Sequence, residues 1–479
     1  MENSKIIQPH LTVLTDGQKS RIHSDSLKIL STVGVRVESE KARKIFSRKA
    51  GSNAVRGDIV CIPPEIVEEA LKLAPFSIDV YNRKGDFAFR LPGETRFGIG
   101  VTDLYYQHPE NDDILPFSRE HMALTVRLGQ KLASYDFICT VGIIHDVPLS
   151  LLDVYSTLEM VCNTIKPLVV LVSDENAFLS VIAMLEALHG DLSSKPFIIP
   201  YFNPITPLVM NKGTIDKMII AIERDLPFIY DTGAMAGATT PITPAGALAL
   251  LNAEMLAGLT LSQLIKKGAT IIPGYAFSLM NMRGSGIFND PKSYVVNLAC
   301  AEMMQYYQLP HFGTSGSGMG WGADIISSGH QWMNHLVSCL GKVGLVAFVG
   351  SILEYTVFSP NVVVYASEVI EQARMLANGF SYDDKSVALN EIVAAGPGGH
   401  FLSSNLTLKL CREAYYRSDI FPQLTLEEWQ EKGRSRADDI LKRYTKNLLK
   451  DLPAPADHED LMAQGEAFIR KLKSHNNHP

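Results

Sequence analysis

The chain has 479 residues, 46% of them hydrophobic and 20% charged, with a formal net charge of -7. That length and apolar content bury a large core, enough for one big domain with appendages or for two or three domains. The excess of acid over base excludes bulk electrostatic attraction to nucleic acid or to an anionic membrane, so small molecules and other proteins are the expected partners.

The N-terminal stretch MENSKIIQPHLTVLTDGQ has no apolar signal core, and no run reaches the roughly 18 uninterrupted apolar residues that a membrane helix requires. Six scattered cysteines, Cys61, Cys139, Cys162, Cys300, Cys339 and Cys411, form no C-x-x-C pair and read as buried thiols of a reducing compartment, the cytoplasm. From Asp16 to Lys72 the pattern is helical with one extended interruption: SDSLKILSTVGVRV has helix period, GDIVCIP reads as a strand, and PEIVEEALKLA opens with a proline suited to a first helical turn. Residues 1–90 are thus expected to form a small α/β cap.

From about Thr95 onward, eight short apolar runs alternate with longer amphipathic segments: RFGIGVT, DFICTVG, PLVVLVS, PFIIPYFN, PFIYDTG, ATIIPGYA, HFGTSG and LVAFVGS. Strands that are apolar throughout, each followed by a helix, mark a parallel sheet covered on both faces. Eight such units predict a (β/α)8 TIM barrel over residues 91–385, followed by a C-terminal helical extension over 386–479 with a solvated charged face. No strand followed by GxGxxG supports a dinucleotide fold, and His330 and His335 have the wrong spacing for a helical zinc pair, so no bound metal is expected.

Chemistry in such a barrel sits at the C-terminal ends of the strands. Those positions hold Tyr105 and Tyr106, then His145 and Asp146, Tyr201, Phe202 and Asn203, Tyr230 and Asp231, Tyr275 and Phe277 with Arg283 beyond, Trp321, Asp324 and His330, and finally Glu354, Tyr355 and Phe358. Such a mouth, rich in rings and poor in lysine, suits a cationic, alkylated guest, because ring faces attract quaternary ammonium. The small residues Gly316, Ser317, Gly318 and Gly320 can turn backbone N–H groups inward as an anion nest, which beside a cage would hold both ends of a betaine. The rival reading is a phosphate site after the seventh and eighth strands, as in a barrel lyase or isomerase; no lysine or arginine accompanies it.

Several segments together resemble the trimethylamine methyltransferase family: GATTPITPAGALALLNAEMLAGLTLSQLIKKGATIIPGY, SLMNMRGSG, YFNPITPL, HDVP, HFGTSGSG and GPGGHFLSSNLTLK. The resemblance runs over nearly the whole chain. It implies a (β/α)8 barrel that passes a methyl group to a corrinoid carried by a separate cognate protein, so that this chain itself holds no tight cofactor. Founding members carry pyrrolysine after the seventh strand; the matching position here, in GMGWGAD, is approximately Gly322, followed by Asp324. A glycine there implies the branch acting on quaternary amines such as glycine betaine, proline betaine or carnitine, for which the leaving group is already a neutral amine and no general acid is needed. The space vacated at Gly322 would receive the substrate's own arm. Tyr106, Phe202, Tyr275, Phe277, Trp321 and Phe358 are then the cage candidates, and Arg283, His330 and the nest with Gly316 and Gly318 the carboxylate candidates. Glycine betaine is the expected substrate, a homo-oligomer the expected assembly, and an osmolyte binder without catalysis a further alternative.

Overall fold

The structure is a computed structural model, and it describes residues 6–100, 102–284, 286–314 and 318–476. Eight parallel strands close into a barrel: β1 (Arg96–Ile99), β2 (Phe137–Cys139), β3 (Leu168–Leu171), β4 (Ile198–Phe202), β5 (Phe228–Ala236), β6 (Ile271–Met280), β7 (Phe312–Thr314) and β8 (Leu345–Val349). Each pairs with the next, and β8 closes on β1 through Leu345 opposite Arg96 and Val346 opposite Phe97. Around them run α1 (Arg119–Lys131), α2 (Leu152–Asn163), α3 (Glu175–His189), α4 (Lys212–Glu223), α5 (Pro244–Ile265), α6 (Pro291–Tyr306), α7 (Ile325–Leu340) and α8 (Pro360–Asn378). All eight apolar runs singled out in the sequence become barrel strands.

The pleat sorts the strand residues into two cores. Phe137, Cys139, Val169, Ile199, Ile229, Ile272, Phe312 and Leu345 fill the interior, while their neighbours along each strand pack outward against the helices. Gly98 is part of this fit, because a Cβ there would fall 2.3 Å from the Phe137 ring. A hairpin of Ile78–Tyr81 and Phe87–Leu91 plugs the N-terminal end of the barrel with Ile78, Val80, Phe89 and Leu91. The α5 helix is apolar on every side, with a mean hydropathy of 1.4 over its most apolar window, and 83% of that window is buried, as befits a core helix held between the barrel wall and the N-terminal cap.

The cap carries a four-stranded sheet in which Val35–Val37, Val55–Arg56 and Ile59–Val60 are joined by Val209–Met210, a strand contributed by the β4–α4 connection. Its first helix, Asp16–Thr32, starts at a capping box of Thr15 and Gln18 and packs on α5. At the other end of the chain, helix Ala437–Lys450 packs on α8 and α1, and helix His458–Asn476 on α2 and α3. Arg83 clamps the latter region with two hydrogen bonds to Asp457, both 2.8 Å. Beyond the C-terminal ends of β1 and β8, a second small sheet of Tyr105–Gln107, Ile114–Pro116, Ser351–Ile352 and Val357–Phe358 extends the barrel. The Ser351 hydroxyl anchors it by donating to the buried Asp103 carboxylate, with oxygens at 2.6 and 2.7 Å.

Candidate active site

A cavity of about 810 Å³ opens beyond the C-terminal ends of β1 to β3, within the range of small-molecule sites. Its lining is aliphatic and acidic: Leu149, Leu152, Leu171 and Val172 on one hand, Asp153 and Asp174 on the other, with the hydroxyls of Thr102, Thr140 and Ser173. Among the described residues no lysine or arginine lines it. Both carboxylates are fixed by the fold. Asp174 caps α3 by accepting from the backbone N–H groups of Asn176 and Ala177 at 2.8 and 2.9 Å. Asp153 opens α2 and accepts from the Ser173 hydroxyl and N–H at 2.5 and 3.0 Å. Behind this wall the buried ammonium of Lys217, from α4, donates to the Val172 and Ser173 carbonyls. Two aspartates against one ammonium leave the wall with a surplus of negative charge.

The inner wall continues from Leu171 to its register partner Tyr201 on β4. The Tyr201 hydroxyl donates to Asp231 Oδ2, and Asn203 Nδ2 donates to the Asp231 carbonyl at 2.7 Å. Asp231 is fully buried and its Oδ1 has no hydrogen-bond partner, lying where a Cβ on Gly274 would come within 2.8 Å. Burial pushes the Asp231 carboxyl up to about 7, opposed by the Tyr201 hydrogen bond. The barrel interior beside the cavity therefore holds a bonded Tyr201–Asp231 pair that does not itself line it.

This arrangement corrects the ring cage expected from sequence. Phe202, Tyr275 and Phe277 occupy the outward parity of their strands. Phe202 meets Phe178 and Phe228, Tyr275 faces the α6–α7 layer with Tyr294 and Asn297, and Phe277 packs in the helix-facing core. Tyr106 and Phe358 lie side by side in the extension sheet, fully covered, with Tyr106 stacked on His121 at 4.1 Å and Phe358 edge-on to Phe117. Trp321 alone of the six is exposed. Its ring lines a separate groove of about 610 Å³ between its loop and helix Ala437–Lys450.

The glycine-rich loop is also used differently. Gly318 and Gly320 both have φ of +96°, and a Cβ on Gly318 would strike the Tyr355 ring at 2.8 Å. The Gly318 N–H donates to the Ser351 carbonyl at 2.9 Å, so it is not offered to an anion. Gly316 and Ser317 lie outside the described residues. The glycines that are described buy close packing on the Ser351–Tyr355 turn, where Leu353, Glu354 and Tyr355 all hold positive φ. Gly322 is buried, and the space in front of it is occupied by the Gln107 amide, 3.3 Å from where a Cβ would stand. Gln107 donates to the Trp321 carbonyl at 2.9 Å, and Asp324 accepts from the Trp321 N–H at 2.7 Å while capping α7. The Gln107 amide thus stands on one side of Gly322, which also lines the groove of about 610 Å³ beside Trp321.

Of the carboxylate candidates, His330 is bonded through Nδ1 to the Tyr294 hydroxyl at 2.5 Å, and burial lowers its pKa, which favours the neutral ring. Arg283 sits exposed in the turn beyond β6, across the barrel from the cavity. Asp153, Asp174 and Lys217 were missed because they open or line helices, where an acid or a lysine reads as an ordinary cap or surface charge. Tyr201 and Asp231 were visible in the sequence, and strand parity with Ile199 and Ile229 would have selected them. Among the described residues no three His, Cys, Asp or Glu side chains converge as a metal site would need.

Comparison with known proteins gives the chain's relatives and its fold. The chain is 26% identical to a glycine betaine methyltransferase of Desulfitobacterium hafniense over 491 residues, covering 96% of this chain and 97% of that protein. It is 25% identical to a trimethylamine methyltransferase of the same species, with 91% and 90% coverage. It is 23% identical to a trimethylamine methyltransferase of Methanosarcina barkeri, with 95% and 96% coverage. The crystal structure of the Methanosarcina barkeri monomethylamine methyltransferase shares the fold at a TM-score of 0.52 and 9% identity, covering 93% of this chain and 89% of that one. The family described as trimethylamine methyltransferase (MTTB) matches residues 2–476, and the chain belongs to that family.

Proposed function

We propose that this methyltransferase takes its methyl group from a quaternary amine of the betaine class, glycine betaine first among them, and passes it to the cobalt of a corrinoid held by a separate protein. The observation that carries the reading is the strand-end cavity, aliphatic in surface, acidic in net charge and without a lining cation. Methyl groups on nitrogen gain by contact with Leu149, Leu152, Leu171 and Val172, and the fixed positive charge gains from Asp153 and Asp174. A phosphate or a plain carboxylate would be repelled by the same wall.

The chain's part in the reaction is to bind, orient and dehydrate. With the ammonium held by its other methyls, one N–CH3 bond points out of the mouth. The reduced corrinoid supplies the nucleophile, and the C–N electron pair stays with nitrogen, which leaves as a neutral tertiary amine such as dimethylglycine. No proton is moved, so the lack of a long activating side chain at Gly322 costs nothing. The rim suits a visiting protein: Leu149, Ile205, Ile242, Met282, Trp321 and Ile325, on the connections after β2, β4, β5, β6 and β7, are 55% to 91% exposed. Six cysteines without a disulfide fit the reducing cytoplasm.

Mixing the purified protein with a reduced corrinoid protein and glycine betaine should convert the cobalt spectrum to the methylated form and release dimethylglycine. No spectral change with any quaternary amine would reject the proposal. Proline betaine and carnitine, tested in parallel, set the substrate within the class.

A further inference from the structure

Just past β1, Asp103 is fully buried among the backbone bonds that shape the wall of the amine cavity. Its N–H donates to the Val141 carbonyl at 3.1 Å, and its carbonyl accepts from the Ile143 N–H at 2.9 Å. Beside it the Thr102 N–H donates to the Thr140 carbonyl at 2.8 Å. Thr102, Thr140 and Ile143 all line the cavity. Thr102 holds a φ of +47°, a conformation that a β-branched residue adopts only where its surroundings impose it.

The Asp103 side chain does not line the cavity. Both of its oxygens meet the Ser351 hydroxyl, at 2.6 and 2.7 Å, and Ser351 is fully buried too. Burial raises the pKa of Asp103 well above the usual carboxylate range, opposed only by the Ser351 hydrogen bond. From Ser351 the bonds run on to the glycine-rich loop. The Ser351 carbonyl accepts from the Gly318 N–H at 2.9 Å, the Glu354 N–H donates to the Gly318 carbonyl at 2.9 Å, and the Leu353 N–H donates to the Gly320 carbonyl at 3.2 Å. That loop leads into Trp321, whose carbonyl accepts at 2.9 Å from Gln107, on the same connection as Asp103.

We propose that Asp103 is a positioning residue for methyl transfer: its backbone sets the cavity wall at Thr102 and Ile143, and its side chain holds Ser351 and, through it, the Trp321 loop. The inference rests on reading the cavity as the amine site and the Trp321 rim as the acceptor's side. A buried carboxyl and hydroxyl carry a desolvation cost that two apolar side chains would avoid. What the polar pair adds is direction, because a hydrogen bond fixes one connection against another where apolar contact lets them slide. In-line transfer needs that precision, since a displacement of about 1 Å costs about 100-fold in rate.

The test uses the full chain, a reduced corrinoid protein and glycine betaine, with the variants D103A, S351A and D103N. Asparagine is uncharged and offers the Ser351 hydroxyl both an acceptor and a donor, so it should restore what alanine loses. S351A removes a single oxygen and keeps the test open should D103A not fold. Without substrate, hydrogen exchange at residues 102–107 and 318–324 should speed up about tenfold or more in both alanine variants and return to the wild-type rate in D103N. Per folded molecule, kcat should fall roughly 100-fold in the alanine variants, more steeply than either KM rises, and recover in D103N. The double alanine variant should be no slower than the worse single one. Unchanged exchange in both alanine variants, faster exchange with unaltered kcat, or a loss confined to KM would overturn the proposal. A wild-type chain that transfers methyl from no quaternary amine would reject the substrate reading instead, and the exchange rates would still decide the clamp.

Discussion

Replacing Asp231 with asparagine isolates the acid at the barrel floor. In the folded chain burial holds this carboxyl at about 7, whereas an unfolded aspartate titrates near 3.9. The folded state therefore binds the proton more tightly, and between those two values the unfolded state is the less protonated one. Stability then falls as pH rises from about 4 to about 7 and stays level above. Over the interval from about pH 5 to about pH 8 the loss is roughly 3 kcal/mol, from 1.36 kcal/mol per pH step up to the folded-state midpoint. Asparagine keeps an acceptor for the Tyr201 hydroxyl but places an amide donor beside Gly274, where Oδ1 has no partner, at a cost of about 1–3 kcal/mol at every pH. The variant should thus be the less stable protein near pH 5 and gain on the wild type by about 3 kcal/mol on going to pH 8. Glu254, also pushed up to about 7 by burial, and His311, pushed down to about 4, titrate in both proteins and cancel from the difference. Denaturant unfolding of both proteins at the two pH values measures it. Parallel pH dependence would refute the assignment of a buried, proton-binding acid at this position.

Asp153→Asn removes a charge from the cavity wall. A cation about 6 Å away at an effective dielectric of about 20 loses roughly 3 kcal/mol of attraction, and water in an open mouth screens that to about 1 kcal/mol or more. KM for glycine betaine should rise about fivefold or further, while an uncharged tert-butyl analogue binds as before; equal losses for both would mean disrupted packing. Trp321→Ala should leave betaine affinity in calorimetry unchanged, because the ring faces the groove against helix Ala437–Lys450, and should raise KM for the corrinoid protein. Gly258→Ala should lower the unfolding midpoint, since its Cβ would fall 2.2 Å from the Tyr230 ring; overpacking of that kind costs about 1–3 kcal/mol, and methyl transfer per folded molecule should be retained.

The barrel was legible because its signal is repeated eight times and rests on composition alone, apolar strand followed by amphipathic helix. The site was legible only to the level of strand ends. In each adjacent pair at those ends one residue faces in and the other out, and choosing the more apolar ring selects the outward one, as with Phe202 over Tyr201. A polar residue facing into a barrel is there for what it binds, while a phenylalanine beside it covers the helix layer. The N-terminal cap shows a second limit, because Val209–Met210 joins its sheet from a connection far along the chain. The wall residues Asp153 and Asp174 begin helices, and nothing in a cap's sequence tells whether its carboxylate also borders a cavity.

The site assignment is tested most directly by a crystal of the protein soaked with glycine betaine. The trimethylammonium group should lie among Leu149, Leu152 and Val172 within a few ångströms of the Asp153 carboxylate, with one methyl directed out of the mouth. Betaine bound instead in the Trp321 groove, or a cavity left empty at concentrations that support methyl transfer, would contradict it.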